Sequence, residues 1–282
     1  MEKRVGMTMG AANPVCEVVA SLASSRKYAN LCPGTLHRTA RWACERYSDL
    51  PVAVKAAKRK LHQVYASFIR QDDIVKIQRL VETFPSCSNE AETRSICRSI
   101  MRLHASTRER MHLMKQLYPA LFAATGGPPC RIADLACGLH PFALPWMGLP
   151  AGATYMAWDI DQRIVDALNR FFERSGFSAM AECRDLLADP SRVSADLVLL
   201  MKALPGLEQQ EKDGAARVLG GLDAEWVVVS TPATSLSGRE KGMYEHYGAM
   251  VSRFAEQMGR RVQEMRFGNE TFYILRSASR ST

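Results

Sequence analysis

Apolar and polar residues change period near the middle of the chain. From about residue 15 to 110 the apolar positions recur at helical spacing and no strand is expected. Val54, Leu61, Tyr65 and Phe68 fall at i, i+7, i+11 and i+14, on one apolar helix face. Beside them Lys55, Lys58, Arg59 and His62 fall at i, i+3, i+4 and i+7, so one helix carries a cationic stripe along its buried face. Ser106-Thr107-Arg108-Glu109 has the Ser-x-x-Glu form of a capping box, which predicts a single helix over 107–122. In that reading Arg108 and Arg110 occupy the first turn, where the helix dipole disfavours a cation, and this points to an anionic ligand.

After Gly126-Gly127-Pro128-Pro129 the period shortens, and β-rich runs alternate with helical stretches. Strands are predicted over 131–136, 154–158, 179–183, 196–201, 226–230, 261–267 and 271–275, and helices over 161–175, 206–220 and 240–259. The last two strands flank Gly268-Asn269 and read as a hairpin. Parallel βα units closing on an antiparallel hairpin match the α/β, Rossmann-like seven-stranded sheet of class I methyltransferases. The expected organisation is an N-terminal all-helical domain over 1–105 followed by the sheet domain over 106–282.

Charge sharpens that division. The formal net charge is +8, and residues 1–110 hold 19 Lys+Arg against 10 Asp+Glu, while 111–282 hold 18 against 19. A basic module beside a near-neutral one fits a polyanionic partner, although a solvated cationic surface has the same composition. The eight cysteines form no CxxC pair and no Cys/His cluster at zinc spacing, so neither a metal site nor a disulfide framework is expected. No window approaches the roughly 20 apolar residues of a membrane span, and the start of the chain lacks a secretory signal; a soluble cytoplasmic protein is the expectation.

Ligands of open parallel sheets bind at the carboxyl ends of the strands. Strand one runs into Asp134-Leu135-Ala136-Cys137-Gly138, where Ala136 and Gly138 let the backbone approach a ligand closely. Strand two ends in Asp159-Ile160-Asp161, placing a carboxylate for the ribose hydroxyls of an adenosine, or alternatively a helix N-cap. Strand three is followed by Asp185-Leu186, which can read an adenine edge and pack on the ring, or cap a turn. The single glycine of the first loop, with Pro141 following, argues against the G-x-G-x-x-G site of a dinucleotide and suits S-adenosylmethionine, which has no pyrophosphate.

Residues 134–138 with Pro141, Pro145-Trp146-Met147-Gly148-Leu149-Pro150 and His104-Ala105-Ser106-Thr107-Arg108-Glu109-Arg110 together resemble the Arm/Rmt/Sgm family of aminoglycoside-resistance methyltransferases. The similarity extends through Leu61-His62, Lys202-Ala203-Leu204-Pro205, Glu208-Gln209-Gln210 and Lys241-Gly242-Met243, from about Ser24 to Leu275. The resemblance implies methylation of nitrogen 7 of one guanine in the decoding site of 16S rRNA, on the assembled 30S subunit, blocking gentamicin- and kanamycin-type drugs. It places Phe68, all seven residues from His104 to Arg110, Ala136, Asp159, Asp185, Leu186, Met201 and Gln210 at the cofactor, with Gly138 and Ile160 beside them. Arg110 would hold the methionine carboxylate. Met201 stands where relatives often have leucine, and Thr231-Pro232-Ala233-Thr234 lacks a basic residue that relatives place there, so target-loop contact is assigned to Arg239 and Lys241. Lys202, just beyond strand four, is the candidate for orienting the guanine through its oxygen, with a strand-end surface lysine as the other reading. Two other functions share these features: a small-molecule methyltransferase with a helical lid, and a noncatalytic RNA-binding protein with a vestigial cofactor fold.

Overall fold

The computed structural model describes residues 13–66, 69–85, 89–189, 192–232 and 241–278. Helices α1 (Pro14–Ala23), α2 (Pro33–Cys44), α3 (Leu50–Leu61), α4 (Gln71–Glu82) and α5 (Glu90–Met101) build the first part. Their starts are encoded locally. Asn13 and Asp49 cap α1 and α3 by accepting from Val15 N and Val52 N, with a proline in each first turn where no N–H is needed. Beyond α3 the chain continues as a π-helical turn, His62–Ala66. Leu61 and Tyr65 are buried and Val54 half-buried, as one apolar face requires, whereas Phe68 lies outside the described residues.

Two helices follow, α6 (Ala105–Arg110) and α7 (Met114–Ala124), and then the sheet: β1 (Arg131–Leu135), β2 (Thr154–Asp159), β3 (Ala179–Cys183), β4 (Val193–Met201), β5 (Leu222–Pro232), β6 (Arg260–Phe267) and β7 (Glu270–Ser277). A 3-10 helix, His140–Trp146, follows β1; α8 (Gln162–Ser175) follows β2; α9 (Leu204–Gln210) and α10 (Gly214–Gly220) follow β4; α11 (Lys241–Gln257) follows β5. The strand order is β3-β2-β1-β4-β5-β7-β6, parallel except for β7, which is antiparallel to both neighbours. The expected seven-stranded sheet and closing hairpin are therefore present. The chain reverses its direction of winding between β1 and β4, which makes that junction the topological switch point.

Alternation along the strands divides the core. Leu197, Leu199 and Met201 of β4 pack toward the cluster shared with the N-terminal helices, while Val198 and Leu200 pack toward α9, α10 and α11. The first cluster runs without interruption from Val18 and Leu22 to Phe272 and Ile274, so the helical part shares its core with one sheet face. Backbone contacts stitch the two parts together: Leu31 bridges Asp161, Gln162 N donates to Asn30 O at 2.9 Å, and Cys32 N donates to Ile160 O at 2.7 Å. Gly34 allows this approach, since a Cβ there would stand 2.9 Å from Ala188 Cβ. No described helix is long and apolar enough to cross a membrane.

Three local expectations need correction. The capping box is not formed: His104 is the N-cap residue of α6, no side chain closes the cap, and the buried Thr107 hydroxyl instead donates to Met101 O and His104 O. The single helix over 107–122 is broken between Arg110 and Met114, where Leu113 fits beneath the β6-β7 turn; a Cβ on Gly268 would lie 3.1 Å from Leu113 Cδ1. Arg110 thus ends a short helix rather than beginning a long one, so its charge does not oppose the helix dipole. The helix expected over 206–220 is two helices, separated at Asp213, which adopts a left-handed φ of 60°.

Candidate active site

Backbone strain marks the switch point. Ala136 and Lys202, immediately after β1 and β4, hold left-handed φ values of 51° and 59° without being glycine. Such conformations cost on the order of 1–3 kcal/mol each and persist where the surroundings enforce them, commonly at functional sites. Gly138 follows at φ 53°, and a Cβ on it would touch the His104 ring at 3.6 Å, so the loop closes against the N-terminus of α6.

Beneath the loop lies a buried polar chain. Asp134, fully buried, accepts from Tyr155 Oη at 2.6 Å and contacts His140 Nδ1 at 2.8 Å, and His140 Nε2 meets Tyr118 Oη at 2.9 Å. Beside it, Glu270 at the start of β7 accepts from Arg110 Nε at 3.1 Å and Nη2 at 2.6 Å, and from Ser230 Oγ at 2.5 Å. Burial alone would raise the Glu270 carboxyl; the Arg110 guanidinium and its hydrogen bonds, with Lys202 and Ser230, hold it below the usual carboxylate range. Lys202 Nζ reaches Glu109 Oε2 at 2.5 Å and stands 3.6 Å from Glu270 Oε2. Glu270 therefore lies between two cations, one from α6 and one from the end of β4. Arg110 Nη1 is buried and has no hydrogen-bond partner among the described residues. His104 is pushed down to about 4 by burial and by the neighbouring charges of Arg110, Lys202 and Arg108, so it is a neutral ring near pH 7.

At the end of β2 the half-buried Asp159 accepts from Gly138 N at 2.8 Å through one oxygen and from Asp161 N at 3.0 Å through the other. Each oxygen keeps a lone pair for a hydroxyl. Asp161 is a fully buried N-cap of α8, accepting from Arg163 N at 2.9 Å, and it also takes the Tyr65 hydroxyl and the Arg163 guanidinium. The helix-cap alternative thus applies to Asp161, leaving Asp159 for a ligand.

Asp185 behaves differently. Its Oδ1 accepts from Leu187 N and Ala188 N, while its Oδ2 accepts from Thr35 Oγ1 at 2.7 Å and from Arg38 Nη2 at 2.9 Å and Nε at 3.2 Å. With five donors on two oxygens, the carboxylate is saturated, and any adenine contact falls to the Asp185-Leu186 backbone. Arg38 also donates to Gln210 Oε1 at 2.7 Å, and Lys60 Nζ to Gln210 O at 2.6 Å, so Gln210 joins the seam with α2 and α3. Leu186 and Met201 are each 6% exposed within the core clusters. Ala105 and Ser106 are half-buried, Thr107 is buried, and Arg108 and Glu109 are exposed.

In the cationic stripe Lys55, Arg59 and His62 are exposed and Lys58 half-buried. None pairs with a carboxylate among the described residues; His62 Nδ1 instead lies 3.0 Å from Lys27 Nζ, adding a fifth basic residue. Arg239 lies outside the described residues, as does the side chain of Lys241. Sequence reasoning missed Glu270, Arg38 and Thr35. Thr35 and Thr39 on the buried face of α2 are the one available signal, because polar residues at i and i+4 on an apolar face need partners.

These residues fit S-adenosylmethionine: the unpartnered buried Arg110 Nη1 suits its carboxylate, Asp159 its ribose, and the 136–138 loop permits close backbone approach. Asp159 is raised to about 6, chiefly by burial and against the Asp161 and Gly138 amides. Its carboxylate form therefore predominates above about pH 6 and is lost below it. Cofactor affinity measured by calorimetry should fall as pH drops from 7 to 5 and should be flat in Asp159→Asn; an equal fall in the variant would remove Asp159 from the ribose site.

The chain is similar to known proteins along most of its length. Residues 24–274 match the family described as Ribosomal RNA methyltransferase (FmrO). A 16S rRNA (guanine(1405)-N(7))-methyltransferase of Micromonospora echinospora is 33% identical over 262 residues, covering 92% of this chain and 95% of that protein. The structure of the 16S rRNA methyltransferase RmtF in complex with S-adenosyl-L-homocysteine superposes with a TM-score of 0.83 at 29% identity, covering 97% of this chain and all of that one. That of the 16S rRNA methylase RmtB gives 0.79 at 25% identity, covering 93% and 98%. The chain belongs to the FmrO family of ribosomal RNA methyltransferases, the aminoglycoside-resistance group, and is an S-adenosylmethionine-dependent enzyme.

Proposed function

We propose that this enzyme methylates nitrogen 7 of the decoding-site guanine of 16S rRNA in the assembled 30S subunit, the position named for its relatives, and so confers resistance to gentamicin- and kanamycin-type drugs. The carrying observation is the placement of Arg110 and Lys202 on either side of Glu270, one cation for each substrate. S-adenosylmethionine supplies a methyl group on a sulfonium sulfur. Guanine nitrogen 7 has an in-plane lone pair, so no residue has to remove a proton, and the task of the protein is alignment. Arg110 and Asp159 hold the cofactor ends, Lys202 orients the guanine through its oxygen, and the target base leaves its stack to enter the site. Glu109 and Glu270 hold the Lys202 ammonium in place, and they offset the positive charge that develops on the purine as methyl transfers.

The basic helices α1–α5 then meet rRNA phosphates, Lys55, Lys58, Arg59 and His62 foremost. Neutralising Lys58 and Arg59 together should weaken 30S binding and lower the slope of log affinity against log salt by about 2. An unchanged slope would leave the stripe as solvated surface. The decisive test is mapping the modified nucleotide after methyl transfer to isolated 30S subunits. Methylation at another base overturns the target, and transfer to free rRNA but not to subunits overturns the assembled substrate.

A further inference from the structure

The seam between α2 and the sheet contains a pair of thiols that methyl transfer does not use. Cys32, the N-cap residue of α2, and Cys183, the last residue of β3, converge on one carbonyl: Cys32 N donates to Ile160 O at 2.7 Å, and Cys183 Sγ lies 3.6 Å from the same oxygen. The two side chains are neighbours there, and each bears on the other's ionisation. Both residues are half-buried, which leaves them within reach of a small reagent, whereas Cys97 and Cys137 are buried, with their thiols pushed up by burial.

Their surroundings favour reaction at Cys32. The Cys183 hydrogen bond first, and then the Gly34 and Thr35 amides that the sulfur faces at the N-terminus of α2, hold the Cys32 thiol below its ordinary range despite partial burial. The opposite effect raises Cys183. One sulfur is thus poised as the attacking thiolate and the other as the resolving thiol.

We propose that Cys32 and Cys183 form a reversible disulfide, a two-electron oxidation site that clamps α2 onto the end of β3 and lowers cofactor affinity. With a small disulfide such as oxidised glutathione, the Cys32 thiolate attacks one sulfur, the glutathione S–S bond breaks, and one glutathione thiolate leaves. Cys183 then gives its proton to solvent, its sulfur displaces the second glutathione thiolate, and the protein S–S bond forms. Two electrons and two protons pass from the cysteine pair to two glutathione thiols.

The affinity effect rests on the cofactor site proposed above. Cys32 is hydrogen-bonded to the residue after Asp159, and the next turn of α2 holds Asp185 through Thr35 and Arg38. Closing the thiol contact to an S–S bond of about 2.05 Å draws both cofactor turns toward α2.

The full-length protein, incubated with oxidised glutathione, should lose two hydrogens and yield a linked peptide containing Cys32 and Cys183. Calorimetry should then show S-adenosylmethionine binding weakened by about tenfold, within the usual range for coupled sites, and dithiothreitol should restore it. Cys32→Ser and Cys183→Ser should each bind as the reduced protein does, with or without oxidant. Failure to form the linked peptide while other cysteines react overturns the proposal, as does equal loss of affinity in Cys32→Ser. A linked protein of undiminished affinity overturns its functional half. If the reduced protein binds no S-adenosylmethionine, the cofactor reading fails by itself, because the disulfide is scored separately by mass.

Discussion

Replacing Glu270 with alanine is expected to cost about 3–5 kcal/mol of folding stability, because removing one member of a buried ion pair strands the other. The side chains of Arg110 and Glu270 are 2% and 4% exposed, so water cannot take over the lost contact. Urea denaturation should show the midpoint falling steeply for Glu270→Ala and less for Glu270→Gln, whose amide oxygen still accepts from Arg110 and Ser230. The double variant Arg110→Met/Glu270→Leu should recover most of the loss, since neither charge is then stranded, yet bind no cofactor. The pH dependence has a definite sign. The folded Glu270 carboxyl is held low, so its contribution is complete above the unfolded value of about 4.3 and is lost as pH falls through the lower folded value. An unchanged midpoint for Glu270→Ala would mean that the buried guanidinium finds another partner.

Lys202 should separate activity from stability. Its backbone is left-handed, its ammonium lies between two carboxylates, and its side chain is only 10% exposed. Lys202→Met keeps the length and loses the charge; methyl transfer to 30S subunits should drop by about 10²–10³-fold, the usual cost of removing one aimed donor from a transition state. Cofactor affinity should change little, because the proposed cofactor contacts are those of Arg110 and Asp159. Lys202→Gly should lose the same activity while being at least as stable as Lys202→Met, since glycine adopts a positive φ without strain. Retained activity in either variant would return Lys202 to the role of a strand-end lysine.

Much of the fold was legible because its signals are local. The strand over Ala179–Cys183 and the hairpin at Gly268-Asn269 follow from period-2 patterns and turn residues within a few positions of each other. β5 begins at Leu222, four residues before the expected start: Leu222-Asp223-Ala224-Glu225 alternates buried and half-buried positions as a strand does, but Asp and Glu have low strand propensity and mask its beginning. Where the reading failed outright, at the capping box and the single helix over 107–122, a local preference lost to packing: Thr107 turns back to α5, and Leu113 fills the space under Gly268.

The site was legible by residue type and not by partnership. Asp159 and Arg110 were identifiable as a strand-end carboxylate and a family-motif cation, and the 134–138 loop excluded a dinucleotide by its lack of glycines. That Arg110 faces Glu270, that Asp185 is occupied by Thr35 and Arg38, and that Cys32 meets Cys183 follows from chain segments separated by 160, 150, 147 and 151 positions. Periodicity, caps and turns act over one or two turns of chain, so the sequence by itself determined most of the elements, a candidate cofactor loop and the family. Ion pairs and hydrogen bonds act through space over about 3 Å. Only the folded sheet, which brings the ends of β1, β4 and β7 beside α6, decided which charges answer each other.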